Sequence, residues 1–220
     1  MFKIAFIGAG NMTNEHLKVF FKIKNVFLSG IYSRTRSKSE LLLEKYGINE
    51  VYNSIEDLYH NTLADLVIIS VPELSTKEVC EIAFKFPWIC LIEKPVGYNL
   101  INSIEINALA EKYLTTAYVA LNRRHYSSTR KLQEDLKLNN EIRTVHVFDQ
   151  ENPKVALDGG TPKLVVDNWM YANSIHIIDY FTLFCRGSLI SVENINKWIP
   201  GILDGIVYNQ MAKEKDSPFQ

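Results

Sequence analysis

The chain has 220 residues, 47% of them hydrophobic and 22% charged, a composition that excludes disordered and fibrous classes. Lys+Arg 24 against Asp+Glu 25 leaves a formal net charge of -1, so no general pull toward nucleic acid or a membrane surface is built in. Cys80, Cys90 and Cys185 are widely separated and form no C-x-x-C pair, which suggests neither a disulfide framework nor a metal site. The apolar N-terminal run is too short for a signal peptide or a membrane span, so a cytoplasmic chain is expected.

Short β-branched and aromatic runs alternate with helix-length stretches through the first half, the pattern of βαβ units around a parallel sheet. Strands are predicted at residues 3–7, 26–32, 66–69, 88–92 and 118–121. Between the first two lies a helix with Leu17, Phe20, Phe21 and Lys24 on one face. Capping-box spacings at Ser37-Lys38-Ser39-Glu40 and Ser75-Thr76-Lys77-Glu78 predict two helix starts, the second helix running to about Phe86. Further helices are expected at 54–59 and 99–113. This is a doubly wound Rossmann-type domain over residues 1–121.

From residue 122 the texture changes to an α+β domain over 122–220. It has a helix near 127–138, a strand at 143–148, a turn-rich stretch through Gly159 and Gly160, a long helix over 168–184, and a strand around 189–192.

Gly8-Ala9-Gly10-Asn11-Met12-Thr13 joins the first strand to the first helix, the context that makes such a turn a dinucleotide fingerprint. Gly8 allows the tight turn, Gly10 lets the backbone approach a pyrophosphate, and the helix start supplies N–H donors. Thr13 replaces the usual third small residue and is expected to space helix and strand slightly apart. The other reading is a glycine turn in some other α/β protein. Ser70-Val71-Pro72 ends the third strand and joins the cofactor-binding candidates, because ligands of open α/β sheets bind at strand carboxyl ends.

NAD-binding domains end the second strand in a carboxylate for the ribose 2′-hydroxyl. Here the segment is Ser33-Arg34-Thr35-Arg36-Ser37-Lys38, where Ser33, Arg34, Arg36 and Lys38 suit a 2′-phosphate. NADP is therefore favoured over NAD, the alternative being a solvated basic loop.

Glu93-Lys94-Pro95 stands at the fourth strand end, and Ile175-His176-Ile177-Ile178-Asp179 lies on a later helix. With the glycine turn, this order resembles the Gfo/Idh/MocA oxidoreductases, the glucose–fructose oxidoreductase and inositol dehydrogenase family. Asn122-Arg123-Arg124 and Asp167-Asn168-Trp169 add to the match, which runs from Met1 to about Gly187.

The resemblance implies that Lys94 and His176 flank the carbon exchanging hydride with a nicotinamide, His176 as acid or base and Lys94 on the substrate oxygen. It implies that Glu93 orients the cofactor side and Pro95 takes a cis bond to aim Lys94. It also implies a sugar-like small molecule as substrate, contacted by Lys94 and His176; Asn122, Arg123, Arg124 and Asn173 are the further contact candidates, the other reading of the two arginines being structural ion pairs alone.

Many members carry an aspartate one turn before the histidine, where this chain has Ala172; Asn173 or Asp179 is the substitute expected to reach the ring. Members continue past this length, so the second domain is expected to be an incomplete open sheet. Trp198, Ile199, Ile202 and Val207 would then be exposed apolar residues, and a homo-oligomer would form through that sheet. The alternative function is a non-catalytic dinucleotide-binding sensor on the same fold.

Overall fold

The computed structural model describes residues 1–138 and 143–185, together with the backbone strands 188–194 and 208–213. The elements in order are β1 (Phe2–Ile7), α1 (Asn11–Phe20), β2 (Val26–Tyr32), α2 (Arg36–Tyr46), α3 (Ile55–Thr62), β3 (Leu66–Ile69), α4 (Thr76–Ala83), β4 (Ile89–Ile92), α5 (Leu100–Lys112) and β5 (Ala117–Val119). They continue as α6 (Ser127–Lys137), α7 (Pro153–Asp158), α8 (Lys163–Val166), α9 (Trp169–Ala172), α10 (Ile175–Phe184), β6 (Ser188–Asn194) and β7 (Tyr208–Lys213). Backbone packing separates the chain into two units, one of residues 1–121 and 150–175, the other of residues 122–149 and 176–220.

The first unit is built on a five-stranded parallel sheet in the order β2-β1-β3-β4-β5. Alternation along β1 and β3 divides their side chains between two apolar layers, while edge strand β5 is exposed at all three residues. Ala5, Ile7, Val67, Ile69, Cys90 and Ile92 face α3, α4 and α5 through Leu58, Cys80, Phe84 and Ile106. On the opposite face, Ile4, Phe6, Leu28 and Ile68 meet Leu17 of α1 and Leu42 and Tyr46 of α2. Coverage on both faces explains the unbroken apolar strands.

Several local expectations are corrected. Helix α1 ends at Phe20, so Phe21 leaves the buried face and is 59% exposed. Neither capping box forms: α2 starts at Arg36 behind Thr35, and Ser75 caps α4 without a side-chain bond. At Ser75 the chain enters α4 from a 3₁₀ turn, Glu73–Ser75, whose own bond from Ser75 N to Pro72 O sets the entry. Genuine caps are Ser54, accepting from Asp57 N at 2.9 Å, Asn99, accepting from Asn102 N at 2.8 Å, and Asn152 at the start of α7, accepting from Val155 N at 3.4 Å. Helix α4 stops at Ala83, whose carbonyl has no i+4 donor in Pro87 and accepts instead from Phe86 N at 3.1 Å and the Trp88 indole N–H at 2.7 Å. Trp88, Tyr59 and Phe86 then form an aromatic cluster in which the last two stack with centroids 4.5 Å apart.

Burial gives the cysteines a defined chemistry. Desolvation raises the thiol of Cys80 well above its ordinary range, with nearby Cys90 adding to the effect, and pushes Cys90 up to about 12. Thiolate is the reactive form, so native protein at pH 8 should leave both unlabelled by iodoacetamide while urea-unfolded protein labels them, as read by peptide mass. The unfolded thiols ionise first on raising pH. The stabilisation from keeping them neutral is therefore complete below about pH 9 and lost as pH climbs through the folded values.

The stretch 143–148 forms no strand among the described residues, although its exposure alternates. An extended segment with no ladder partner gains no strand hydrogen bonds. The turn-rich stretch holds two short helices, α7 with Pro153 at its first turn and α8. The long helix expected over 168–184 is broken at Asn173-Ser174 into α9 and α10. In the second unit β6 and β7 pair antiparallel. Trp198, Ile199, Ile202 and Val207 lie outside the described residues.

Candidate active site

Three parallel strands end side by side. Ser70 N donates to Ile7 O at 2.8 Å and Glu93 N to Ile69 O at 2.9 Å, so the residues following β1, β3 and β4 form one row at the sheet's carboxyl edge. Strand order reverses between β1 and β3, the switch point where open α/β sheets bind ligands.

The glycine turn is shaped by this row. Gly8 has φ +108°, and a Cβ there would lie 1.9 Å from the Ser70 carbonyl oxygen, so neither the backbone nor the neighbour tolerates a side chain. A Cβ on Gly10 would meet nothing within 4 Å among the described residues beyond its chain neighbours. The backbone at Gly10 therefore faces open space at the start of α1, where no side chain caps the helix. Asn11 and Met12 are exposed beside it. An anionic diphosphate fits here, since uncapped helix N–H groups and the helix dipole favour it.

Thr13 lies on the buried side of α1. It is fully buried, and its hydroxyl donates to Gly8 O at 3.1 Å, tying α1 to the turn it follows.

The basic loop after β2 is only partly available. Arg36 donates to Glu40 at 2.9 Å and to Asn53 at 2.6 Å. The Ser33 hydroxyl donates to Thr35 O at 2.9 Å and shares a bond with the buried Ser39 hydroxyl at 2.8 Å. Arg34 and Lys38 are exposed and have no ion-pair partner among the described residues.

At the end of β4, Glu93 is held on both oxygens. His16 Nε2 lies 2.7 Å from Oε1, and the Lys94 backbone N–H donates to Oε2 at 3.2 Å. Sequence reasoning attached no chemistry to His16. Its partner stands 77 residues away in the sequence, so no local pattern marked it.

The Lys94–Pro95 bond is cis. The Lys94 ammonium donates to the Ala172 carbonyl at 3.3 Å, where the α9 ladder stops and leaves terminal carbonyls free to accept. Asn173 follows, its amide donating to Glu151 Oε1 at 2.8 Å, while the Trp169 indole donates to Glu151 Oε2 at 3.1 Å. Glu151 was also missed, and its aperiodic surroundings carry no signal. Tyr171 completes α9's anchoring by sharing a bond with Ser103 of α5, whose hydroxyl also donates to the Val96 carbonyl.

The remaining candidates belong to the second unit. His176 is 7% exposed near the start of α10. Arg124 is bound bidentately to Asp179, Nε donating to Oδ2 at 2.6 Å and Nη2 to Oδ1. That bond, opposed by desolvation and reinforced by Asp179's charge, holds the guanidinium above its ordinary pKa. Asp179 also accepts from the Thr182 hydroxyl at 3.1 Å. Arg124 and Asp179 thus serve each other. Arg123 is half-buried and has no ion-pair partner among the described residues, and Asn122 is exposed.

The first unit therefore brings together the glycine turn, Ser70, Glu93, Lys94 and Asn173, while Asn122, Arg123, Arg124 and His176 stand in the other. No helix among the described residues is long and apolar enough to cross a membrane.

Comparison with known proteins agrees with this architecture. YrbE of Bacillus subtilis (strain 168), an uncharacterised oxidoreductase, is 25% identical over 154 residues, covering 68% of this chain and 45% of its own. The chain thus spans about half the length of that relative. The crystal structure of a Thermotoga maritima oxidoreductase superposes with TM-score 0.74 at 22% identity, over 93% of this chain and 66% of the other. That of a Lactobacillus casei scyllo-inositol dehydrogenase gives 0.70 at 18% identity, over 91% and 60%. At these identities the two structures speak for the fold alone. The Gfo/Idh/MocA model, described as an oxidoreductase family with an NAD-binding Rossmann fold, matches residues 2–121. With more than half of its length matched in this way, the chain belongs to the Gfo/Idh/MocA oxidoreductase family.

Proposed function

We propose that this protein is an NADP-preferring oxidoreductase moving hydride to or from the CH–OH carbon of a polyhydroxylated small molecule: a sugar, nucleotide-sugar or cyclitol. The observation carrying this is the row at the sheet's carboxyl edge, which sets the open backbone of Gly10 and the Lys94-bearing strand end in one unit. Residues 1–121 serve as the dinucleotide domain and 122–220 as the substrate and oligomerisation domain, in a cytoplasmic homo-oligomer.

Gly8, Ala9, Gly10, Asn11 and Met12 would hold the diphosphate, with Ser70, Val71, Pro72 and Glu93 along the nicotinamide side. When bound, the dinucleotide supplies a ring that accepts or returns hydride. Lys94 donates a hydrogen bond to the reacting oxygen, stabilising negative charge as it develops. His176 takes the hydroxyl proton as hydride departs and returns it in reduction. Asn173, Asn122 and Arg123 contact substrate hydroxyls, Arg123 being the cation of its pair not committed to an ion pair among the described residues. For a 2′-phosphate, Arg34 and Lys38 are the cations without an ion-pair partner among the described residues and Ser33 a hydroxyl beside them, while Arg36 is drawn toward Glu40.

The scyllo-inositol dehydrogenase neighbour makes inositols a natural first panel, with sugars and nucleotide-sugars beside them. Either dinucleotide is incubated with each compound and nicotinamide absorbance is followed. Turnover that Lys94→Ala abolishes is expected. Binding without turnover on any compound, unaffected by Lys94→Ala, favours the sensor, which Ala172 in place of the helix carboxylate supports. NADPH should bind more tightly than NADH, and Arg34→Ala should lower NADPH affinity about ten-fold, the scale of one exposed charge-assisted bond, with NADH unchanged. Equal wild-type affinities for the two would defeat the NADP assignment.

A further inference from the structure

We infer that Glu151 is a positioning residue for Lys94, acting through α9. This rests on the role given to Lys94 above. Glu151 lies 57 positions beyond Lys94 in the chain, yet both reach the same short helix. One carboxylate oxygen takes the Trp169 indole N–H and the other the Asn173 amide, so the carboxylate clamps both ends of α9. Between those ends is Ala172, 4% exposed, whose carbonyl receives the Lys94 ammonium.

A helix of four residues has too few internal bonds to hold itself. Its position is set from outside, by Glu151 at both ends and by Tyr171 on Ser103. In a chain with alanine at residue 172, Glu151 is a carboxylate brought to this turn from a different segment. It fixes the backbone acceptor that aims the amine, and it does so through neutral N–H donors.

The test uses the full chain without cofactor. Amines are labelled with limiting acetic anhydride, and Lys94 is quantified by peptide mass against the exposed Lys22 and Lys24. Glu151→Ala should speed Lys94 labelling ~3- to 10-fold, the change expected from loosening one charge-assisted hydrogen bond. Trp169→Phe keeps the ring but removes one of the two donors, and should give a smaller increase in a chain that keeps its fold.

Glu151→Gln should stay close to wild type, because its amide accepts from Trp169 and donates to Asn173 once the latter's amide turns over. Wild-type labelling in both Glu151→Ala and Trp169→Phe overturns the inference. Labelling in Glu151→Gln as fast as in Glu151→Ala also overturns it, since charge rather than geometry would then be at work. Dinucleotide affinity of the wild type, read by nicotinamide fluorescence, is a separate arm. Its absence defeats the proposed function while labelling still decides the place of Glu151.

Discussion

Gly8→Ala should cost about 3 kcal/mol or more of stability, the sum of a forbidden backbone region and a backbone collision. The new Cβ would sit 1.9 Å from the Ser70 carbonyl oxygen at φ +108°, and relief requires the ends of β1 and β3 to separate. That separation breaks the bond from Ser70 N to Ile7 O and disturbs the turn that presents Gly10. Urea denaturation should show the loss, with a thermal midpoint lower by roughly 10 °C for a chain of this size. Dinucleotide affinity should fall with it. Gly10→Ala is the contrast: its Cβ meets no atom of the described residues beyond its chain neighbours within 4 Å, so it should leave stability within about 1 kcal/mol and weaken dinucleotide binding alone. Equal stability of wild type and Gly8→Ala would refute the packing argument.

The second large effect is expected at Arg124. Replacing it with leucine leaves the Asp179 carboxylate, 7% exposed, without its guanidinium. Losing one partner of a buried pair costs about 3–5 kcal/mol when water is excluded. The arginine side chain is itself 41% exposed, so water reaches the gap and about 2 kcal/mol is the better expectation. Amide exchange across α10 should report it, because Asp179 lies mid-helix. Arg124→Leu combined with Asp179→Leu should recover most of the loss, since no buried charge is then stranded. If Arg124→Leu changes substrate affinity while leaving α10 exchange untouched, the arginine belongs to the ligand after all.

The parallel sheet was legible because its inner strands β1 and β3 are covered on both faces. Runs such as Leu66-Val67-Ile68-Ile69 must be apolar throughout, and their length and bounding turns mark them as strands. The glycine turn and Glu93-Lys94 were legible for a related reason, since strand, turn and helix in that order fix where the loop stands. Helix ends were harder to read. Ser37 and Ser75 have capping-box spacing, yet one sits inside a helix begun earlier and the other is the last residue of a 3₁₀ turn. Residues 150–175 were the least legible, because their geometry is imposed by distant partners. Asn173 interrupts a stretch that reads as one helix, at a point where Lys94 and Glu151 both bind the backbone or side chain of the break. His16 and Glu151 escaped notice because their partners, Glu93, Trp169 and Asn173, are remote in sequence and known only once the chain is folded.

The first unit is discontinuous in the chain, made of residues 1–121 and then 150–175. During synthesis the ribosome delivers the whole parallel sheet before α9 exists. The Lys94 amine therefore has no Ala172 carbonyl to meet until translation has passed that codon, and the nascent sheet waits in an unfinished form. A message cut between those two points would yield a sheet with its lysine untethered.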